Sequence, residues 1–256
     1  MDLQVNGPKV YFSIQTPFGA INVTQTMLSL LAITVILITV AALITRKLTK
    51  RPGRFQVIVE KLVGMLYGLV EDTMGKHNVK FAPYIGTLFL SSIFGTLIGM
   101  TQVFRSVTAD LSVTLAWALV TTGMVWYNNI KNFGFKSWLK GFTEPIVVMT
   151  PMNIVSEIAQ PVSMAFRHFG NVAGGSVLTS LIYAALALVS NLAFGWLPEL
   201  ITSWLPPVFQ VGIPAFLSIY FDLFSGFVQA LVFSLLTMVY VGGACPAPSE
   251  AETHTK

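Results

Sequence analysis

The stretch from about 144 to 190 is nearly uninterrupted apolar sequence. As one helix it would reach roughly 65–70 Å, against about 30 Å of bilayer hydrocarbon. It folds either as two short spans or as one long, strongly tilted helix, and Pro161 permits a bend. No charged turn divides it. Instead it carries Arg167, and between Lys140 and Lys256 no other residue is Lys or Arg. A guanidinium cannot escape burial by losing its proton. A charge at the bilayer centre costs from about 3 to over 10 kcal/mol. Arg167 must face a carboxylate, water or another subunit, or else snorkel to an interface.

Composition supports a membrane setting. Of 256 residues, 54% are hydrophobic and 10% charged, against about 25% charged in soluble domains. The formal net charge of +4 is no nucleic-acid footprint, because the basic residues cluster in short loops at helix ends. The single cysteine, Cys245, excludes an internal disulfide and offers no metal site. No signal peptide is expected in residues 1–26; residues 244–256 form a cytoplasmic tail, whose stretch APSEAETHTK reads as polar and frayed.

Read as an all-α polytopic membrane protein, the chain forms a single membrane domain with about five membrane helices and one interfacial helix. Residues 1–26 form an outer N-terminal segment, and 27–45 a first span. RKLTKRPGR follows, with Arg46, Lys47, Lys50, Arg51 and Arg54. That density of cations places this end in the cytoplasm and the N-terminus outside. Residues 54–76 alternate apolar and charged at helical spacing, with Phe55, Ile58, Leu62, Leu66 and Leu69 on one side. They read as an amphipathic helix at the interface, or else as a weak second span. Residues 81–130 form a hairpin of two spans joined near Arg105, with spans at 81–104 and 107–130. The loop behind it, with Lys131, Lys136 and Lys140, is cytoplasmic. Residues 191–207 make an outer connection, and 208–243 a second over-long apolar segment. An odd number of crossings puts the C-terminus inside.

Other polar residues inside the apolar runs narrow the function. Ser163, Arg167, Asn171 and Gly174 fall on one helical face, and Gly170, Gly174 and Gly175 clear side chains beside it. Such a face suits sliding against, or docking on, another element. Asp222 and Gln229 stand seven apart, two turns on one face of the last helix. Asp222 either exchanges protons, its pKa raised by burial, or simply neutralises Arg167. Glu157 either lines a water path to the inner face or sits at the interface. Asp110 is expected to cap a helix after Thr108. His168 packs, and His77 lies in a loop. There is no phosphate-binding loop, no metal spacing and no nucleophile elbow, so neither cofactor nor nucleotide is expected.

Three stretches carry a resemblance. PVSMAFRHFGN (161–171) is similar to the P-x-S-L-x-x-R-L-x-G-N signature of subunit a of the F-type ATP synthase. TADLSVTLAWAL and FVQALVFSLLTMVYV resemble that family's other two motifs, in the family's order. The match runs from about residue 20 to 243 and looks bacterial, which implies the inner membrane. The resemblance implies that 144–243 is a long, tilted hairpin lying against a ring of c subunits. It implies that Arg167 faces the ring's carboxylate. It further implies that Asn171, Asp222, Gln229 and Asp110 line an outer half-channel, with Glu157 on the inner one and Ser163 on the inner or ring-facing side. The implied partners are the c-ring, the peripheral stalk subunit b and the rest of the complex. The implied cargo is H⁺ or Na⁺, with H⁺ favoured. Four positions depart from the pattern: Ser176 replaces an acidic residue, Asp222 stands where many members have histidine, His168 replaces leucine, and GMTQVF lacks a proline. The competing reading is a stand-alone secondary transporter or channel. That class usually shows internal repeats and several intramembrane charges around a centre, and neither is evident here.

Overall fold

The computed structural model describes residues 10–16, 19–46, 48–101, 104, 106–144, 146–194 and 219–246. The expected turn at Arg105, the connection beyond 194, residues 208–218 and the tail beyond 246 lie outside them.

Helices dominate, with one correction to an all-α reading. Strands β1 (Val10–Thr16) and β2 (Gly19–Thr24) pair antiparallel in the N-terminal segment. Ile14 pairs with Ile21 and Ser13 with Asn22. Alternating residues such as Tyr11, Ser13 and Gln15 give the period of two that a ribbon needs.

Helix α1 (Gln25–Arg46) follows directly on β2 and ends at the basic turn. Helix α2 (Arg54–Met74) begins after Pro52-Gly53 and ends at Gly75, whose φ of 83° allows the reversal. Much of its apolar side is uncovered: Phe55, Ile58 and Leu62 are exposed. Its last turn is not: Val70 and Met74 are buried in the core.

Helix α3 (Ala82–Leu97) is shorter than the span expected over 81–104. It tightens into a 3-10 turn at Ile98–Thr101. Helix α4 (Leu111–Phe133) starts at Asp110, whose Oδ1 accepts from the Ser112 amide at 3.0 Å, the capping role expected of it. The loop behind α4 contains a short helix, α5 (Phe135–Gly141).

The long apolar run is one helix, α6 (Thr150–Phe194), of 45 residues. Pro161 sits inside it without ending it. Its missing N–H leaves the Glu157 carbonyl without its helical donor. The last helix, α7 (Gly226–Gly243), is preceded by a π-turn at Ile219–Ser225. By length and composition, α1, α6 and α7 can cross a membrane. Helices α3 and α4 do not stand out that way: α3 has 16 residues, and α4 carries Thr114, Thr121, Thr122 and Asn128 on its buried side.

Two clusters hold the helices together. One joins the end of α2 to α3, α4 and α7 through Val70, Ile85, Val125, Met238 and Val241. The other joins α3, α4, α6 and α7 through Leu88, Ala118, Met164, Ala165 and Phe233. Close approach depends on small residues, as expected where helices associate in lipid. A Cβ on Gly226 would stand 2.7 Å from Thr96 Cγ2.

Candidate functional site

Helix α6 has two faces. Pro161, Met164, Ala165, His168, Val172 and Gly175 are buried and recur at helical spacing. The other face carries Ser163, Arg167, Gly170 and Gly174, all exposed. A side chain added at Gly170 or Gly174 would meet nothing within 4 Å. Arg167 makes no ion pair among the described residues, where the pairs are Lys76–Glu71 and Lys140–Glu144. The guanidinium therefore stands on a cleared strip, presented outward from the chain.

His168, about 100° round the helix from Arg167, falls on the buried side. It is fully buried, with Nε2 at 3.0 Å from Ser92 Oγ. Its ring packs edge-on against Trp117 at 6.3 Å and Phe233 at 5.5 Å. It locks α6 to α3, α4 and α7.

Asn171 lies one turn beyond Arg167 and is half-buried. Its Nδ2 donates to Ser225 Oγ at 2.6 Å and to the Ser225 carbonyl at 3.2 Å, and the Ser225 hydroxyl donates to Asn171 Oδ1 at 2.8 Å. This pairing fastens the Arg167 region to the π-turn that contains Asp222. The side chain of Asp222 is outside the described residues. Its backbone position corrects one expectation. A π-turn holds more residues per turn than an α-helix, so the seven residues from Asp222 to Gln229 do not amount to two α-turns on one face. Such turns recur at functional sites. Gln229 is half-buried on α7, with its backbone beside the His168 ring.

Glu157 belongs to a different place. It precedes Arg167 by ten residues, about 15 Å along the helix. It lines an open cleft of about 480 Å³ with Asn129, Ser137, Trp138, Glu144 and Asn153. Trp126 Nε1 donates to Glu157 Oε1. Asn153 Nδ2 donates to the carbonyls of Phe142 at 2.9 Å and Glu144 at 3.1 Å, which ties the loop behind α5 to the start of α6. Trp126 also packs edge-on against Trp138.

The structure thus brings Arg167 and Asn171 together with the Asp222 turn, and sets Glu157 apart in its own cleft. Asp110 is engaged as a cap, although the turn just before it, Val107–Ala109, packs against α6. Ser225 and Trp126 are the polar partners that sequence reasoning missed. Both contacts cross between helices far apart in sequence, and no local pattern signals them.

A membrane helix that packs along one face and presents on the other a cation with no ion pair among the described residues defines a class: an integral membrane protein with an uncovered, charged helix face. The chain belongs to the ATP synthase A chain family, whose model matches residues 26–242. It is 30% identical over 270 residues to "ATP synthase subunit a, sodium ion specific" of Propionigenium modestum, covering 94% of this chain and 86% of that one. It is 34% identical over 223 residues to "ATP synthase subunit a 1" of Crocosphaera subtropica, covering 86% of each. With "ATP synthase subunit a" of Bacillus velezensis it shares 32% over 231 residues, covering 86% of this chain and 91% of that one. Membership makes it a multi-pass membrane protein and a non-catalytic stator subunit with a role in ion translocation.

Proposed function

We propose that the chain carries ions between two offset half-channels of a rotary synthase, with Arg167 as the fixed charge between them. In this reading it sits in a bacterial inner membrane with the N-terminus outside and the C-terminus in the cytoplasm. About five helices cross. Helix α6, about 65–70 Å long, spans about 30 Å of hydrocarbon only if it leans roughly 60° or more from the membrane normal. Together with the segment leading into α7 it forms the hairpin that lies against a c-ring. Subunit b and the rest of the complex complete the stator.

The observation that carries this is the Arg167 strip: one permanent cation, exposed, flanked by open glycines, on a helix anchored from behind. A ring carboxylate arriving from lipid is neutral. Beside a guanidinium its charged form is favoured, so it releases its ion there. The same positive charge repels cations and blocks a direct path between the half-channels. Glu157 and its cleft serve the cytoplasmic side. Asn171, Gln229, Asp110 and the Asp222 turn serve the outer side, with Ser163 on the ring-facing strip. The cleft and the Asp222 turn lie on opposite sides of Arg167 along α6, which supports two separate accesses.

The test is Arg167→Ala in inverted membrane vesicles, with assembly checked. Loss of ATP-driven pumping and of gradient-driven synthesis in an assembled complex is the expected result. Normal coupled transport would sink the reading. H⁺ is the proposed coupling ion, and pumping that persists without Na⁺ is the expected outcome. A strict Na⁺ requirement would instead align the chain with the relative named as sodium specific.

A further inference from the structure

The elbow between α1 and α2 has features that the ion path does not use. Arg46, Lys50, Arg51 and Arg54 lie within nine positions and are all exposed. None of them makes an ion pair among the described residues. Topology alone would need only the charges. Here the turn that bears them is fixed. The Thr49 amide donates to Gln56 Oε1 at 3.1 Å, and Gln56 Nε2 donates back to the Thr49 carbonyl at 3.0 Å. The Thr49 hydroxyl donates to the Arg51 carbonyl at 2.8 Å. Gln56 Nε2 also reaches Glu60 Oε1 at 2.7 Å, which holds the nearest carboxylate on α2.

Beside this turn is an apolar cleft of about 350 Å³, lined by Val40, Leu43, Ile44, Leu48, Phe55 and Gln56. Gln56 is both the clasp of the turn and part of the cleft wall. Phe55 is 68% exposed at its rim. A ligand that fits must be amphipathic, with a long apolar part and an anionic end. Arginine forks match phosphate oxygens. Each cation near a membrane surface strengthens binding of an anionic lipid about fivefold. A zwitterionic headgroup carries its own cation and loses most of that attraction.

We propose that the elbow is a binding site for one anionic phospholipid, with its phosphate among Arg46, Lys50, Arg51 and Arg54 and an acyl chain in the Val40–Leu43–Phe55 cleft. The site shares no residue with the Arg167 strip, and its test does not depend on ion transport. It anchors the α1–α2 elbow to the cytoplasmic leaflet.

The full chain, purified in detergent, is titrated with phosphatidylglycerol or phosphatidylcholine and read by native mass spectrometry. One phosphatidylglycerol is expected to bind, with phosphatidylcholine at least tenfold weaker. Arg51→Gln combined with Arg54→Gln should weaken phosphatidylglycerol about 25-fold, at about fivefold per charge. Leu43→Trp fills the cleft while every charge remains, and should also abolish retention. Because the two variants act through different groups, misfolding of one leaves the other decisive. Equal binding of both lipids, or wild-type binding of phosphatidylglycerol by either variant, overturns the proposal. So does a photoreactive group at position 55 that captures a protein rather than a lipid in native membranes.

Discussion

Helices α6 and α7 carry the family's two most telling stretches, yet the fold treats them differently. Helix α7 is the more covered of the two, with Phe233, Thr237, Met238 and Val241 buried against α2, α3 and α4. Helix α6 is held along one stripe and leaves the rest uncovered: Val177, Leu178, Leu181 and Leu188 are all exposed. In lipid, apolar exposure has no cost of the kind it has in water, so exposure alone does not mark a surface as functional. What sets α6 apart is a charge placed on the uncovered side. The contrast teaches a division of labour. Helix α7 and its partners make the packed back, and α6 presents the uncovered, charged strip.

The sharpest way to break this contrast is to truncate one side chain from each helix. Arg167→Ala removes an exposed group with no described partner. The complex should assemble at wild-type abundance while coupled pumping falls to background. Phe233→Ala removes a ring packed between Trp117 at 6.5 Å and His168 at 5.5 Å. Lost packing should cost near the low end of about 3–5 kcal/mol, since no transfer from water is involved. Abundance in the membrane, not the ion-to-ATP ratio, should drop. If Arg167→Ala instead lowers abundance, the strip is structural and the division fails.

Glycines give a smaller and cleaner comparison. Gly226→Val drives a methyl group into Thr96, which should cost about 1–3 kcal/mol through overpacking. Gly174→Val meets open space, so the chain should fold as before. Under the proposed function its effect appears only against the ring, as a severalfold loss of pumping without loss of assembly. Pumping and abundance measured on both variants separate packing of the back from clearance of the front.

How much of this was legible in the sequence depends on the range of the interaction. Helix α1, the amphipathic α2 and the single long run were readable, because their signals are local periodicity and length. So was the cap at Asp110, set by a neighbour two residues away. The β1–β2 ribbon was legible too, since Asn6-Gly7-Pro8 and Pro17-Phe18-Gly19 bracket two alternating runs, but the long apolar segments dominate the pattern of the chain and drew the reading to helices. The π-turn was missed because hydrophobic spacing assumes a constant 3.6 residues per turn, and Asp222–Gln229 was assigned to one face on that assumption. The site was readable at Arg167, since an unpaired charge in an apolar run needs no partner to stand out. It was not readable at Ser225 or Trp126, whose meaning comes only from helices that meet in space.

Trp126 offers the next test. Trp126→Phe keeps an aromatic ring against Trp138 and removes the hydrogen bond to Glu157. Hydrogen bonds to charged groups contribute about 1.5–3 kcal/mol. With Glu157 no longer held in the cleft, pumping should slow severalfold while passive leak and assembly stay unchanged. Glu157→Gln should slow it by a similar factor, and the double variant should add little. Fully additive losses would mean that the two residues act independently, and the cleft would not be a single element.

The smallest effect tests how firmly the back is held at its end. His77 Nε2 and Asn78 Nδ2 both donate to the Cys245 carbonyl at 2.8 Å, and Asn132 Nδ2 donates to that of Ala244 at 2.8 Å. These side chains satisfy carbonyls that the end of α7 leaves open. Just beyond the helix, burial pushes the Cys245 thiol above its usual pKa, and Lys80, an Asn132 hydrogen bond and Lys131 draw it only partly back. The reactive form is the thiolate, and raising the pKa depletes it at neutral pH. Alkylation of Cys245 in native membranes should therefore run severalfold slower than that of an exposed thiol. It should still be climbing with pH above about 8.5, where an ordinary thiol begins to level off. Asn78→Ala loosens the clasp and should bring rate and profile towards those of a free thiol. A wild-type Cys245 that already reacts like a free thiol would show that the end of α7 opens readily. The packed back would then be no better fixed than the strip it supports.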